Sequence, residues 1–271
     1  LKEAIEKSYL DAGWNLNDPF AYNKYENNLF PSFSDVARNI KIIIDSSEYD
    51  AENKGAYKGS LLTRLTSLTN GINGMIFSNE EIPSKKLFDE NTIIDISRVG
   101  SSETQSLLMG ILVLKLQEYR MGTGEMNSEL KHLTVLEEAH NLLKRSNGET
   151  SGENGNMTAK SVEMISNAIA EMRTYGEGFI IADQAPGLLD LASIRNTNTK
   201  IIMRLPHLED RELVGKASGL NDEQITELER LPRGVAAVYQ NEWIQSVLCK
   251  IASADLKPTK YIYGERPLKS S

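Results

Sequence analysis

Two adjacent acids close an apolar run in LTVLEEAH, residues 133–140: Glu137 and Glu138, followed by Ala139 and His140. An apolar, β-branched stretch of this kind reads as a buried strand, and in open parallel sheets the groups that meet ligands sit just beyond the carboxyl ends of strands. One acid at such an end can hold Mg²⁺, directly or through water, while its neighbour polarises a water for attack on a phosphoryl group. Consecutive strand side chains point opposite ways, so a twist at the strand end is needed to bring both into one site. The same pair also fits a plainer role, two acids favouring the positive end of a helix that begins there. A second run, GFIIADQAP, places Asp183 and Gln184 behind an apolar stretch. An amide there can orient water or sense a γ-phosphate, and the alternative is an Asx or proline turn. A third run, NTIIDIS, ends in Asp95 and Ser97, with SSET behind it offering Ser101 or Ser102 as the cap of a following helix. Three strand ends that deliver polar groups to one edge of a sheet point to a site.

Elements able to position these groups are visible in the hydrophobic pattern. Residues 1–90 carry helix-period stretches, LKEAIEKSYLDAGW, SFSDVARNIKIIIDSS with Ser34 or Asp35 as cap, and GAYKGSLLTRLTSLTNGI, which predict a helical subdomain. From residue 91 to 252 short apolar strands alternate with long helices, the pattern of right-handed crossovers in a mostly parallel sheet flanked by helices. That region contains NTIIDIS, a helix from Ser102 to Tyr119 that is apolar nearly all round and so covered on several sides, HLTVLEEA, a helix over 158–175, and GFIIADQ. TKIIMRL and GVAAVYQ follow as strands, the latter paired as a hairpin with WIQSVLCKI through QNE. The segment 145–157 is small and polar, with Gly148, Gly152 and Gly155, and reads as a mobile loop; residues 253–271 read as a tail.

Composition narrows the function classes. A formal net charge of −8 over 271 residues argues against a surface coated for nucleic acid, although a local basic pore is hidden by such an average. One cysteine, Cys249, cannot form an intramolecular disulfide, and 3 histidines are too few for a zinc-type cluster, which together fit a reducing, cytoplasmic setting. The most apolar helical run, LLMGILVLKL, is too short to cross a bilayer.

In order and spacing, HLTVLEEAHNLL, EMRTYGEGFIIADQAP, NTNTKIIMRL and LPRGVAAVY resemble the HerA and FtsK superfamily of RecA-like motor ATPases, nearest to HerA-type double-stranded DNA translocases and related conjugation ATPases, over roughly residues 90–250. The resemblance implies a RecA-like P-loop NTPase fold with ATP and Mg²⁺ as its ligands. It makes the strand ending in two acids a Walker B motif, with Glu137 at the metal and Glu138 as the catalytic base. Gln184 then lies on the sensor strand at the γ-phosphate, with Asp183 beside the nucleotide where family members commonly carry Ser or Thr. The family also uses an arginine that reaches the nucleotide of the adjacent subunit; Arg173 in RTYG ranks first and Arg204 in MRL second, ahead of Arg195 and Arg233, while a surface salt bridge is the ordinary role for each.

One departure is large. No G-x-x-x-x-G-K-[ST] occurs, and GAYKGSLL at Gly55 lacks its spacing and its Lys-Ser or Lys-Thr pair. In the family that loop precedes the helical subdomain, so the chain is expected to be the carboxyl portion of a longer motor whose N-terminal part supplies the loop. Removing the loop's strand is expected to leave a slot in the sheet between GFIIAD and TKIIMRL. The functions implied are an ATP-driven DNA translocase or helicase working as a ring, a hexamer by family habit, with double-stranded DNA and a nuclease as partners. The alternatives are a conjugation- or secretion-type ATPase, and a catalytically silent scaffold derived from a motor.

Overall fold

A computed structural model describes residues 1–17, 30–79, 81–145 and 153–254, with side chains in the last stretch from residue 160 on. The chain divides into two compact units, one of Leu1–Thr134 with Glu171–Phe179, the other of Val135–Ala170 with the residues from Ile180 on.

The first unit opens with helices α1 (Lys2–Asp11), α2 (Phe33–Ser46), α3 (Ala51–Tyr57), α4 (Thr63–Thr69), α5 (Gly71–Ile76) and α6 (Ser84–Phe88), with a π-turn at Lys58–Leu62 between α3 and α4. The helical reading of this region is therefore the observed one. The cap of α2 is Ser32, not Ser34 or Asp35: its hydroxyl accepts from the Asp35 amide while the Asp35 carboxylate accepts from the Ser32 amide. Both acceptors meet donors that the first turn leaves orphaned. Ala4, Val36, Ile40 and Ile44 bury against one another, with Leu61, Leu62 and Leu65 packed over them. The spacing 36, 40, 44 is one face of a helix.

NTIIDIS does not form a strand. Ile93 is 96 % exposed, and Asp95 instead accepts the Ser97 amide in an Asx turn. Propensity marks a segment that suits a sheet, but a strand exists only with a neighbouring strand to take its backbone groups; none of the described strands pairs with this one, and Ile96 O accepts instead from the Val99 amide and Gln105 Nε2. Helix α7 (Ser102–Thr123) is capped by Ser101, whose hydroxyl accepts from the Thr104 amide. Its buried positions are Met109, Gly110, Val113, Leu116 and Arg120; Leu108, Ile111, Leu112 and Leu114 around them are half-buried, and Leu107 and Met121 are exposed.

Strand β1 (His132–Glu137) is followed by helix α8 (Glu153–Met172) and strand β2 (Glu177–Ala182), which pairs with β1 as a parallel unit with its crossover helix. Within β1 burial alternates, and Leu133 and Val135 are exposed, so it is a one-sided strand, not a wholly buried one. The loop expected over 145–157 is helical from Glu153; its residues 146–152 lie outside the described residues, as does the expected tail from residue 255.

The second unit continues through α9 (Leu191–Asn196), β3 (Thr199–Ile202), α10 (Leu208–Lys216), α11 (Asp222–Glu227), β4 (Val235–Gln240) and β5 (Val247–Lys250). Here β3, β4 and β5 form an antiparallel ladder in which Ile201 faces Val238 and Ala237 faces Leu248, and the β4–β5 hairpin is the one expected from the sequence. Ile202, Leu228, Leu231 and Ala237 form its apolar core. Among the described residues no ladder joins β2 to β3, which is where the slot was expected. No helix of the described residues is long and apolar enough to cross a membrane.

Candidate active site

At the carboxyl end of β1 the chain turns sharply. Glu138 has φ 51° and ψ 48°, a left-handed backbone that costs a residue with a side chain about 1–2 kcal/mol, and it opens a 3₁₀ turn over Ala139–Asn141. This turn takes the place of the helix start that the paired acids also suggested. It also solves the problem of consecutive strand residues pointing apart. Glu137, the last residue of β1, stays exposed, whereas the left-handed step redirects the Glu138 carboxylate toward the end of β2.

There Gln184 meets it: the Gln184 Nε2 donates to Glu138 Oε1 at 2.6 Å. Residues 46 apart in sequence are thus joined because β1 and β2 are adjacent and end at the same edge. Asp183 does not face outward toward a ligand. Its side chain is 3 % exposed, its Oδ2 accepts both the His140 amide at 2.7 Å and His140 Nδ1 at 2.9 Å, and its Oδ1 accepts the Ala185 amide at 2.8 Å. The Asx-turn reading of DQAP is therefore also realised, by Asp183, while Gln184 takes the outward position.

The segments leaving the two strands run on together. Arg145 donates its amide to Leu188 O, Asp190 to Leu143 O, and Lys144 forms a bridge with Leu189. Behind them the turn at Pro186–Leu188 is fixed to α10, because Gly187 donates its amide to the buried Asp210 Oδ1 at 2.7 Å. A Cβ at residue 187 would stand 2.6 Å from that oxygen, so a side chain there would force the Asp210 carboxylate to shift.

His140 is the residue that sequence reasoning passed over, though EEAH places it in plain view. With Glu138 and Asp183 it makes a group whose ligand-type atoms lie within 4.8 Å of one another. Since His140 Nδ1 is committed to Asp183, this trio is a hydrogen-bonded bridge between two strand ends. Glu137, which is not part of that group, is an exposed carboxylate that makes no side-chain bond among the described residues, and a carboxylate oxygen is a donor that can hold a hard cation.

The arginines lie elsewhere. Arg173 is exposed in the 3₁₀ turn Arg173–Tyr175 that precedes β2, so the length of that strand separates it from Gln184. Arg204 is exposed just past the end of β3, where Arg211 holds the next two carbonyls, Leu205 O at 3.1 Å and Pro206 O at 2.6 Å. Arg195 and Arg233 are exposed as well.

No known protein family and no curated protein matches the chain by sequence. Among solved structures, VirB4 of Thermoanaerobacter pseudethanolicus is similar in fold, with a TM-score of 0.66 and 16 % identity over 94 % of this chain and 63 % of that one. The genome packaging NTPase B204 from Sulfolobus turreted icosahedral virus 2, in complex with AMP, is a looser likeness, at a TM-score of 0.43 and 10 % identity over 75 % of this chain and 94 % of that one. This chain therefore spans under two thirds of the VirB4 chain, and its fold is the P-loop NTPase-like α/β fold of VirB4, a parallel sheet flanked by helices.

Proposed function

We propose that this chain is the Walker B and sensor portion of a motor ATPase of the HerA, FtsK and VirB4 type. The observation that carries the reading is the Glu138–Gln184 pair, set at 2.6 Å by the ends of two adjacent parallel strands beside the open carboxylate of Glu137. Glu138 is the base that takes a proton from the attacking water, and Gln184 orients both that water and the Glu138 carboxylate. Glu137 is the residue that holds Mg²⁺, which when bound supplies charge neutralisation at the phosphates. The phosphate-binding loop comes from outside these 271 residues, from the N-terminal part of the same protein; the edges of β2 and β3, unjoined among the described residues, support a further strand there.

Arg173 suits an arginine acting on a neighbouring subunit's nucleotide, since it is exposed and lies at the other end of β2 from Gln184. That role needs a ring, which we take to be a hexamer, working in the cytoplasm; we assign the exposed Arg204 to nucleotide binding. Within this reading the motor moves double-stranded DNA, with a nuclease as a further partner. The conjugation-type alternative uses the same site on a protein substrate, and the likeness to VirB4 accords with both. ATP turnover by the protein with its phosphate loop, with and without double-stranded DNA, separates them: DNA translocation predicts turnover several-fold faster with DNA, and turnover indifferent to DNA rejects it.

A further inference from the structure

Two features of the strand ends are unexplained by a base and its glutamine alone. One is that Glu138 holds a left-handed backbone although it is not glycine. The other is that Asp183, next to Gln184, is buried and bonded three times over, with none of those bonds directed at a ligand. A strained backbone persists only where its surroundings fix it, so the question is what fixes this one.

The contacts answer it. Asp183 Oδ2 grips residue 140 at two points, the main-chain amide and the ring Nδ1, which fixes both the peptide and the side chain two positions beyond Glu138. Within the turn Asn141 donates its amide to Glu138 O at 3.0 Å, and Leu143 donates to Ala139 O at 2.8 Å. The third bond of Asp183, to the Ala185 amide, sets the turn that carries Gln184. One buried carboxylate therefore governs both loops that bring Glu138 and Gln184 together. Because that carboxylate accepts, Nδ1 bears the ring hydrogen, and the same nitrogen stands 3.7 Å from Glu138 Oε2.

We propose that Asp183 and His140 are positioning residues that clamp the Glu138 turn and so aim its carboxylate at the attacking water. This deepens the ATPase reading above and rests on it for its catalytic part. A displacement of about 1 Å in a reacting group can cost 10²-fold in rate, so loss of the clamp shows in turnover while binding persists.

The test compares His140→Ala and His140→Asn with wild type in the full-length protein. Asparagine places an amide N–H close to where Nδ1–H stood, so it restores the donor without the ring. Expected are a kcat for His140→Ala lower by about 10- to 100-fold with a KM for ATP within about twofold, and recovery of most of kcat in His140→Asn. Amide hydrogen exchange over 138–143 supplies a readout independent of turnover: faster in His140→Ala, near wild type in His140→Asn. Unchanged kcat in His140→Ala, an asparagine variant as impaired as the alanine one, or unchanged exchange in the alanine variant would each overturn the clamp. A wild-type protein that hydrolyses no ATP rejects the ATPase reading instead, and the exchange comparison still decides whether the clamp exists.

Discussion

Glu138 combines a backbone that resists a side chain with the side chain proposed as the base. Its φ of 51° is comfortable for glycine and costly for other residues. Glu138→Gly should therefore be more stable than Glu138→Ala by about 1 kcal/mol, measured by denaturant unfolding, because only the alanine variant retains the strain. Equal stabilities would mean that the turn relaxes freely and that the left-handed step is not imposed by its neighbours. At this scale the sequence was informative about residue type and silent about geometry. The pairing of two acids after LTVL and the amide after IIAD were legible in the chain. The inward turn of Asp183 and its grip on His140 were not, since they link residues 43 apart whose proximity depends on the register of two strands.

Among elements, the starts of β1 and β2 are pinned as firmly as their ends. Glu177, with a fully buried side chain, accepts Arg120 Nε at 2.8 Å, His132 Nδ1 at 2.8 Å and Thr134 Oγ1 at 2.7 Å. Arg120, from α7, also reaches Asp89 Oδ1 at 2.7 Å and the carbonyl of Phe88. Arg120→Met should lower stability by about 3–5 kcal/mol in unfolding experiments, because it leaves the buried Glu177 charge without its cation. Adding Glu177→Gln should return part of that loss, and an additive double mutant would contradict the coupling.

Asp89 lies at the solvent edge of the same network. The Tyr119 hydroxyl, and then Arg120, hold its carboxyl below the ordinary aspartate value. A carboxylate depressed on folding stabilises the protein above its unfolded pKa, and that contribution fades as pH falls through the folded one. Melting temperature should accordingly fall below about pH 4, and fall less steeply in Asp89→Asn. The network was not legible beforehand, because Arg120 ends an apolar helix and Glu177 lies in an unremarkable GEGF, 57 residues away. Helix periods were legible because they are local, as was the Ser101 cap of α7, whereas the cap of α2 is Ser32 and not the Ser34 or Asp35 expected. NTIIDIS fails as a strand for the complementary reason that pairing is not local, and no described strand lies beside it to pair.

For the whole molecule, the five strands among the described residues fall into two ladders, β1 with β2 and β3 with β4 and β5. Ile180 and Ile201 are 49 % and 61 % exposed on strands that a closed sheet of this class would bury. On the proposed reading, the absent G-x-x-x-x-G-K-[ST] and the absence, among the described residues, of a ladder between β2 and β3 have one cause, the strand that would deliver the motif. On this account the 271 residues supply the water-activating half of an ATPase site and depend on another segment for the phosphate-binding half. The central claim is that Glu138 is the base of that site, and single-turnover ATP cleavage by the full-length protein and its Glu138→Gln variant tests it most directly. The account predicts that the variant binds ATP as tightly as wild type and cleaves it about 10²- to 10⁴-fold more slowly. Cleavage at the wild-type rate in Glu138→Gln would contradict it.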